Sequence, residues 1–338
     1  MDSERNAGGG LHDGLINLGS RRIPDSARRP DHWQEAKTLI EAEDLWKLYG
    51  RVEALRGVSL RIGSGVTGLI GPNGAGKSTL IKIILGLIRP TRGRVRVFGL
   101  DPWVHGEAVR MRVGVLHEKP MFPGWATGYE LLRFVARLRG IRNPEKEASE
   151  ALRIVGLSDA GDRSISGYSA GMIQRLGLAQ ALLGRPDLII LDEPTSNLDP
   201  KGRVEMLEAI SEFRRESGSS FLISTHILPE LERVCEKLII LHSGRIIHQG
   251  TLRESASKYY AYSITIGSDN PMELMKHLRG LKSVRQISIR NGEVKLRTSD
   301  PKSVMDALKE ISGLQTSYIR EEPGILERIY LEATRKLD

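Results

Sequence analysis

Short, unbroken apolar runs punctuate this chain from residue 39 onward, at 66–70, 188–191, 221–224 and 238–241. Runs of this length predict strands buried on both faces. Helix-period segments lie between several of them, and that alternation predicts an α/β domain on a largely parallel sheet. Residues 120–180 read as an insertion rich in helical pattern. Within it Leu131, Leu132, Val135 and Leu138 share one face of a helix over 129–139, a stripe expected to pack and not to bind a ligand. After Gly250 the pattern changes to strand 259–266, helix 271–278, strands 284–289 and 294–298, helix 301–311 and strand 315–320. The two middle strands meet across Asn291-Gly292, a pair that tolerates the positive φ of a tight hairpin. The order β-α-β-β-α-β is that of a small ferredoxin-like unit, and a last helix is expected over 325–336. Residues 1–37 are rich in Gly, Ser and Arg, carry Pro24 and Pro30, and show no sustained periodicity. They are expected to form a mobile extension. The expected organisation is an extension (1–37), an α/β domain (38–252) and a small α+β accessory domain (255–338).

Composition narrows the class. With 40% hydrophobic and 27% charged residues over 338 positions, the chain has material for a sizeable core. No apolar run reaches the roughly 18–20 residues that cross a bilayer. The start, MDSERNAGGG, lacks the basic and apolar regions of a signal peptide. A cytoplasmic protein is therefore expected, with any pore on another polypeptide. The single cysteine, Cys235, cannot form an internal disulfide and is expected to be a small buried thiol in a helix-like stretch after Pro229. The net charge of +8 permits contact with nucleic acid or anionic lipid. No run of consecutive Lys or Arg concentrates it, so no nucleic-acid partner is expected.

The chemistry begins at Gly71-Pro72-Asn73-Gly74-Ala75-Gly76-Lys77-Ser78-Thr79, which fits the P-loop pattern G-x-x-x-x-G-K-[ST]. The glycines let backbone N–H groups turn inward onto phosphate oxygens, and Lys77 adds a compact charge for the β- and γ-phosphates. Ser78 can place its hydroxyl on Mg²⁺, with Thr79 beside it. A helix over 78–88 adds its N-terminal dipole. An apolar strand directly before and a helix directly after argue against an accidental glycine-rich turn. The chain is expected to bind a nucleoside triphosphate.

A second apolar run ends in Asp192-Glu193-Pro194. Paired acids at such a strand end suit a cation and a reacting water: Asp192 to hold Mg²⁺, Glu193 to polarise the water. Strand alternation predicts that they point apart and divide these roles. The run 221–226 ends in His226, whose place at a strand tip predicts a γ-phosphate contact.

These motifs fall in an order that resembles the ABC ATPase family. Tyr168-Ser169-Ala170-Gly171-Met172-Ile173-Gln174-Arg175, just ahead of the acidic strand, is similar to the family's signature LSGGQ. The resemblance covers residues 39–250. It implies that Tyr49 stacks on adenine, that Glu118 stands at the Q-loop position and contributes to the metal site with Ser78 and Asp192, that Ser196-Asn197-Leu198-Asp199 is the D-loop and that His226 is the switch histidine. It also implies a RecA-like P-loop core with a helical subdomain at about 120–180. ATP and Mg²⁺ are the implied ligands. The implied assembly is a head-to-tail homodimer in which Ser169, Ala170, Gly171, Met172 and Asp199 reach the nucleotide held by the partner copy. The accessory domain, with the ending 323–332, resembles that of ATPase subunits of ABC-2-type export systems. This implies a transmembrane permease partner, docked near 118–142, and a peripheral place on the cytoplasmic face of the cell membrane.

Three positions depart from the pattern. Ala170 replaces the first signature glycine, which keeps the N–H and suits a negative φ. Met172 replaces the signature glutamine, and Glu118 adds negative charge where the family has glutamine. A soluble ABC protein acting on ribosomes or nucleic acid is the alternative reading. A single cassette, no sustained heptads and one cysteine argue against it. A nucleotide-binding regulator without turnover is disfavoured by the presence of both Glu193 and His226.

Overall fold

The computed structural model describes residues 38–311 and 315–335, so the expectation for 1–37 lies outside the described residues. Two long strands open the fold, β1 (Ile40–Tyr49) and β2 (Val52–Ile62), followed by β3 (Val66–Ile70), α1 (Lys77–Ile84) and β4 (Arg92–Val97). β1 pairs antiparallel with both β2 and β4. Then come α2 (Gly106–Met111), β5 (Val113–Leu116), α3 (Gly128–Leu138), α4 (Pro144–Ile154) and α5 (Ala170–Leu182). The chain returns through β6 (Leu188–Asp192), α6 (Pro200–Ser217), β7 (Ser220–Thr225), α7 (Leu228–Leu231), β8 (Lys237–His242) and β9 (Arg245–Thr251).

The second sheet has the order β5-β6-β7-β3-β8-β9, parallel except for β9. β3, β6 and β7 are buried at every position, as expected of parallel strands covered on both faces. Alternate residues feed two cores. Ile189, Leu191 and Ile223 pack with α5 and α6, whereas Ile190, Leu222 and Ile239 pack with α1 and the β2-β1-β4 sheet. The expected helical insertion is α3, α4 and α5. A capping box starts α3, with Thr127 Oγ1 accepting the Glu130 N–H and the Glu130 carboxylate accepting the Thr127 N–H.

The expected stripe on α3 is only partly the packing face. Leu132 and Ala136 are fully buried and Leu131 and Val135 lean on the same core, but Leu138 and Phe134 are exposed. Arg139, the C-cap residue of α3, turns inward. Its guanidinium donates to the carbonyls of Leu183, Met111 and Val113, each at 3.1 Å, and burial pushes its pKa down. Cys235 is buried as expected, and burial pushes its thiol up to about 12; the helix after Pro229, however, is only the single turn α7.

Beyond β9 lie α8 (Leu252–Lys258), β10 (Tyr262–Ser268), α9 (Pro271–Arg279), β11 (Val284–Arg290), β12 (Glu293–Thr298), α10 (Pro301–Glu310), β13 (Thr316–Glu322) and α11 (Ile325–Thr334). The sheet order β11-β12-β10-β13 is all antiparallel and is that of a ferredoxin-like unit. Asn291 and Gly292 both take positive φ at its hairpin, as expected. This unit has its own core, with Ile264, Ile266, Leu274, Leu278, Val294, Leu296 and Val304. The last helix, α11, joins the other body: Leu326, Ile329 and Ala333 share a buried cluster with Leu231 of α7 and Ala256 of α8. The Leu326 N–H donates to Glu232 Oε2 at 3.1 Å. Glu332 completes the attachment by pairing with Arg285 and Arg297; burial opposes its ionisation, but the two guanidinium groups hold its pKa below the usual carboxylate range.

Arg139→Ala leaves three inward carbonyls without their donor and is expected to lower stability by about 2–3 kcal/mol. Arg133→Ala, half-buried with its guanidinium 5.8 Å from the Tyr129 ring centroid, is expected to change it by less than about 1 kcal/mol. Urea unfolding midpoints distinguish the two.

Candidate active site

β3 delivers the chain to the loop 71–76, and α1 begins at Lys77. Gly76, the residue before the helix, has φ +105°, and a Cβ there would lie 2.5 Å from the Ala54 carbonyl oxygen. Only glycine meets both demands. No side chain caps α1, so its first-turn N–H groups remain available to an anion. Pro72, Asn73, Gly74 and Ser78 are exposed around this cradle, Thr79 is half-buried, and Ala75 is buried beneath it. Lys77 is only 7% exposed, and its ammonium donates to the Gly71 carbonyl at 2.7 Å.

The same ammonium lies 3.3 Å from Glu193 Oε1, and Glu193 Oε2 lies 2.8 Å from His226 Nδ1. One buried carboxylate thus joins the three residues that the sequence assigns to phosphate binding and hydrolysis. β6 ends at Asp192, and Glu193 leaves the strand at φ +50°. Strand alternation therefore does not separate the two acids, contrary to expectation; the left-handed turn does. The neighbouring strand supports it, because the Glu193 N–H donates to the Ser224 carbonyl at 3.0 Å while the Ser224 hydroxyl bonds Asp192 Oδ1. Ser224 was not singled out from the sequence. Its signal was the polar tip of an otherwise apolar strand.

The remaining residues form a second locality. Ser169 caps α5, its Oγ accepting the Met172 N–H at 3.2 Å, which leaves the hydroxyl proton free to donate outward. Ala170 is the first residue of α5 and is not among the positive-φ residues, so its methyl is unstrained. The Met172 side chain packs on the core, and only its backbone belongs to the cap. A Cβ at Gly171 would lie 3.3 Å from Leu198, which places the signature beside the loop 196–199. Asp199 caps α6 through the Gly202 N–H at 2.8 Å. Glu118 is exposed, and its carbonyl lies 3.4 Å from the Asn197 amide nitrogen. Tyr49 is exposed at the end of β1, with the Lys47 ammonium 5.1 Å from its ring centroid. Among the described residues, no hydrogen bond or ion pair joins Tyr49 or residues 169–172 to the loop 71–79.

Among the described residues no three or more His, Cys, Asp or Glu side chains converge as a metal site, and no helix is long and apolar enough to cross a membrane. The arrangement is instead a phosphate cradle backed by a single clamped carboxylate.

Comparison with known proteins identifies relatives of this chain. The ABC transporter family profile matches residues 55–196. An ABC transporter ATP-binding protein of Bacillus subtilis is 38% identical over 238 residues, covering 70% of this chain and 78% of the relative. The bacitracin transport ATP-binding protein BcrA of Enterococcus faecalis is 34% identical over 259 residues, covering 76% and 83%. A solved dimeric structure of a bacterial ABC transporter cassette aligns with a TM-score of 0.58 at 25% identity, over 63% of this chain and 98% of that one.

Gly76→Ala forces a left-handed backbone on alanine and drives a methyl at the Ala54 carbonyl. Nucleotide affinity, read by equilibrium binding of a fluorescent ATP analogue, is expected to fall by about tenfold or more.

Proposed function

Because this chain belongs to the ATP-binding subunits of ABC transporters, which bind and hydrolyse ATP, we propose that two copies close head to tail on ATP to drive export through a separate permease. The observation that carries this reading is the clamped carboxylate: Glu193 lies between Lys77 and His226. A triphosphate in the cradle offers Lys77 more negative charge than Glu193 does and draws the ammonium to itself. Glu193 then polarises the attacking water, and His226 holds the γ-phosphate.

Ser169 and the N-terminal amides of α5 form a second anion-binding helix end, standing apart from the cradle within one copy. A partner copy that turns this end onto the bound γ-phosphate makes the site whole, with Asp199 lining the seam. The exposed Tyr49 ring is offered to adenine.

The donors present fit Mg²⁺. The Ser78 hydroxyl is exposed, Asp192 has one carboxylate oxygen tied to Ser224 and the other without a hydrogen bond among the described residues, and Glu118 is exposed nearby in the fold. Such a sparse, all-oxygen set suits an ion that takes its remaining ligands from phosphate and water. When bound, Mg²⁺ supplies charge neutralisation at the β- and γ-phosphates.

The permease is expected to dock on the surface of loop 117–125 and α3, where Met121 (92% exposed), Trp125 (85%), Phe134 and Leu138 stand open to solvent. Docked there, the chain would sit on the cytoplasmic face of a membrane. Export is supported by the accessory unit after β9 and by the likeness to a bacitracin transport subunit.

Glu193→Gln keeps the size of the side chain and removes its basicity. Turnover is expected to vanish while ATP binding persists and the dimer outlives mixing with ATP, read by phosphate release, analogue binding and size-exclusion chromatography. Undiminished phosphate release would refute the role of Glu193.

A further inference from the structure

His226 follows β7, and four residues later the single turn α7 carries Glu230. The Glu230 side chain is only 15% exposed, and both of its oxygens are taken. Oε2 accepts the Thr195 hydroxyl at 2.5 Å, and Oε1 accepts from Arg203 Nη1 at 3.0 Å. Thr195 is buried two residues beyond Glu193. Arg203, on the first turn of α6, also donates from Nε to the Leu198 carbonyl at 2.9 Å. One carboxylate therefore binds the chain leaving Glu193, the loop 196–199 through Arg203, and the segment following His226.

Thr195 and the loop 196–199 are contiguous, but α6 and β7 separate Leu198 from the His226 segment, so the chain alone does not tie those two together. Charge-assisted bonds at a half-buried carboxylate resist separation more than solvated pairs do. We propose that Glu230 is a positioning residue for hydrolysis, which locks the His226 segment and the loop 196–199 into one rigid unit, so that His226 meets its own copy's nucleotide while Asp199 meets the partner's. Glu230 touches no substrate itself. The inference rests on the reading of His226 and Asp199 as residues of the closing site. It goes beyond that reading in assigning their mutual alignment to Glu230, Arg203 and Thr195.

The test compares Glu230→Ala, Arg203→Ala, Glu230→Gln and the Glu230→Ala/Arg203→Ala pair for kcat, ATP-analogue affinity and melting temperature. Each alanine variant is expected to lose about tenfold in kcat with analogue affinity changed less than about twofold. The pair should be no slower than the slower single variant, because both changes break one connection. Glu230→Gln retains one acceptor oxygen and should fall between wild type and alanine. Should Glu230→Ala fail to fold, Thr195→Val removes only the hydroxyl bond, and it too should lower kcat without weakening nucleotide binding. A folded Glu230→Ala or Thr195→Val protein with wild-type kcat, a parallel loss of nucleotide affinity, or losses that multiply in the pair would overturn the proposal. Failure of the underlying reading has a different mark, namely continued turnover by Glu193→Gln.

Discussion

The Glu193 carboxylate owes its place to a backbone constraint, and the rest of the site follows from it. β6 runs straight between two cores and cannot bend within its apolar stretch. The turn comes one residue after the strand, at positive φ, where the Ser224 carbonyl receives the Glu193 N–H. From that turn the side chain reaches Lys77 on one side and His226 on the other, although the three residues come from different segments of the chain. Taking a carboxylate and an ammonium out of water is unfavourable unless each finds a partner, so the contact fixes both groups. In the proposed cycle, a polyphosphate seated in the loop 71–76 competes with Glu193 for the Lys77 ammonium.

Much of this was legible in the sequence because it depends on local rules. The P-loop glycines, the buried apolar strands and the Asn291-Gly292 hairpin each state their geometry through residue type. What escaped depends on tertiary placement. The alternation rule fails at Glu193 because the strand ends one residue too soon for it to apply. Arg139 is captured by inward carbonyls of two stretches remote in sequence, 111–113 and Leu183, which its own sequence neighbours do not signal. β4 carries arginine at alternate positions, 92, 94 and 96, and charged residues interrupt β1 and β2, which conceals all three from a search for apolar runs. Ser224 and Glu230 act through neighbours distant in sequence, so nothing in their own surroundings announces them.

Within one copy the residues that the sequence assigns to the site fall into two localities, the loop 71–79 with Glu193, and residues 169–172 beside the loop 196–199. Residues 188–200 are their covalent link, with Asp192 and Glu193 at one end and Asp199 at the other. In the proposed head-to-tail dimer, this short segment would connect one nucleotide site with the other.

The last helix has a bearing on how such chains can be cut and recombined. α11 lies after the ferredoxin-like unit but places Leu326, Ile329 and Ala333 in the principal core, against α7 and α8. A catalytic fragment ending near Lys258, after α8, would bare the apolar seat of that helix next to the segment that bears His226. Excising the terminal unit as a portable module is therefore not a neutral edit, and exchanging it between related proteins calls for the seat and the helix to be moved as a matched set.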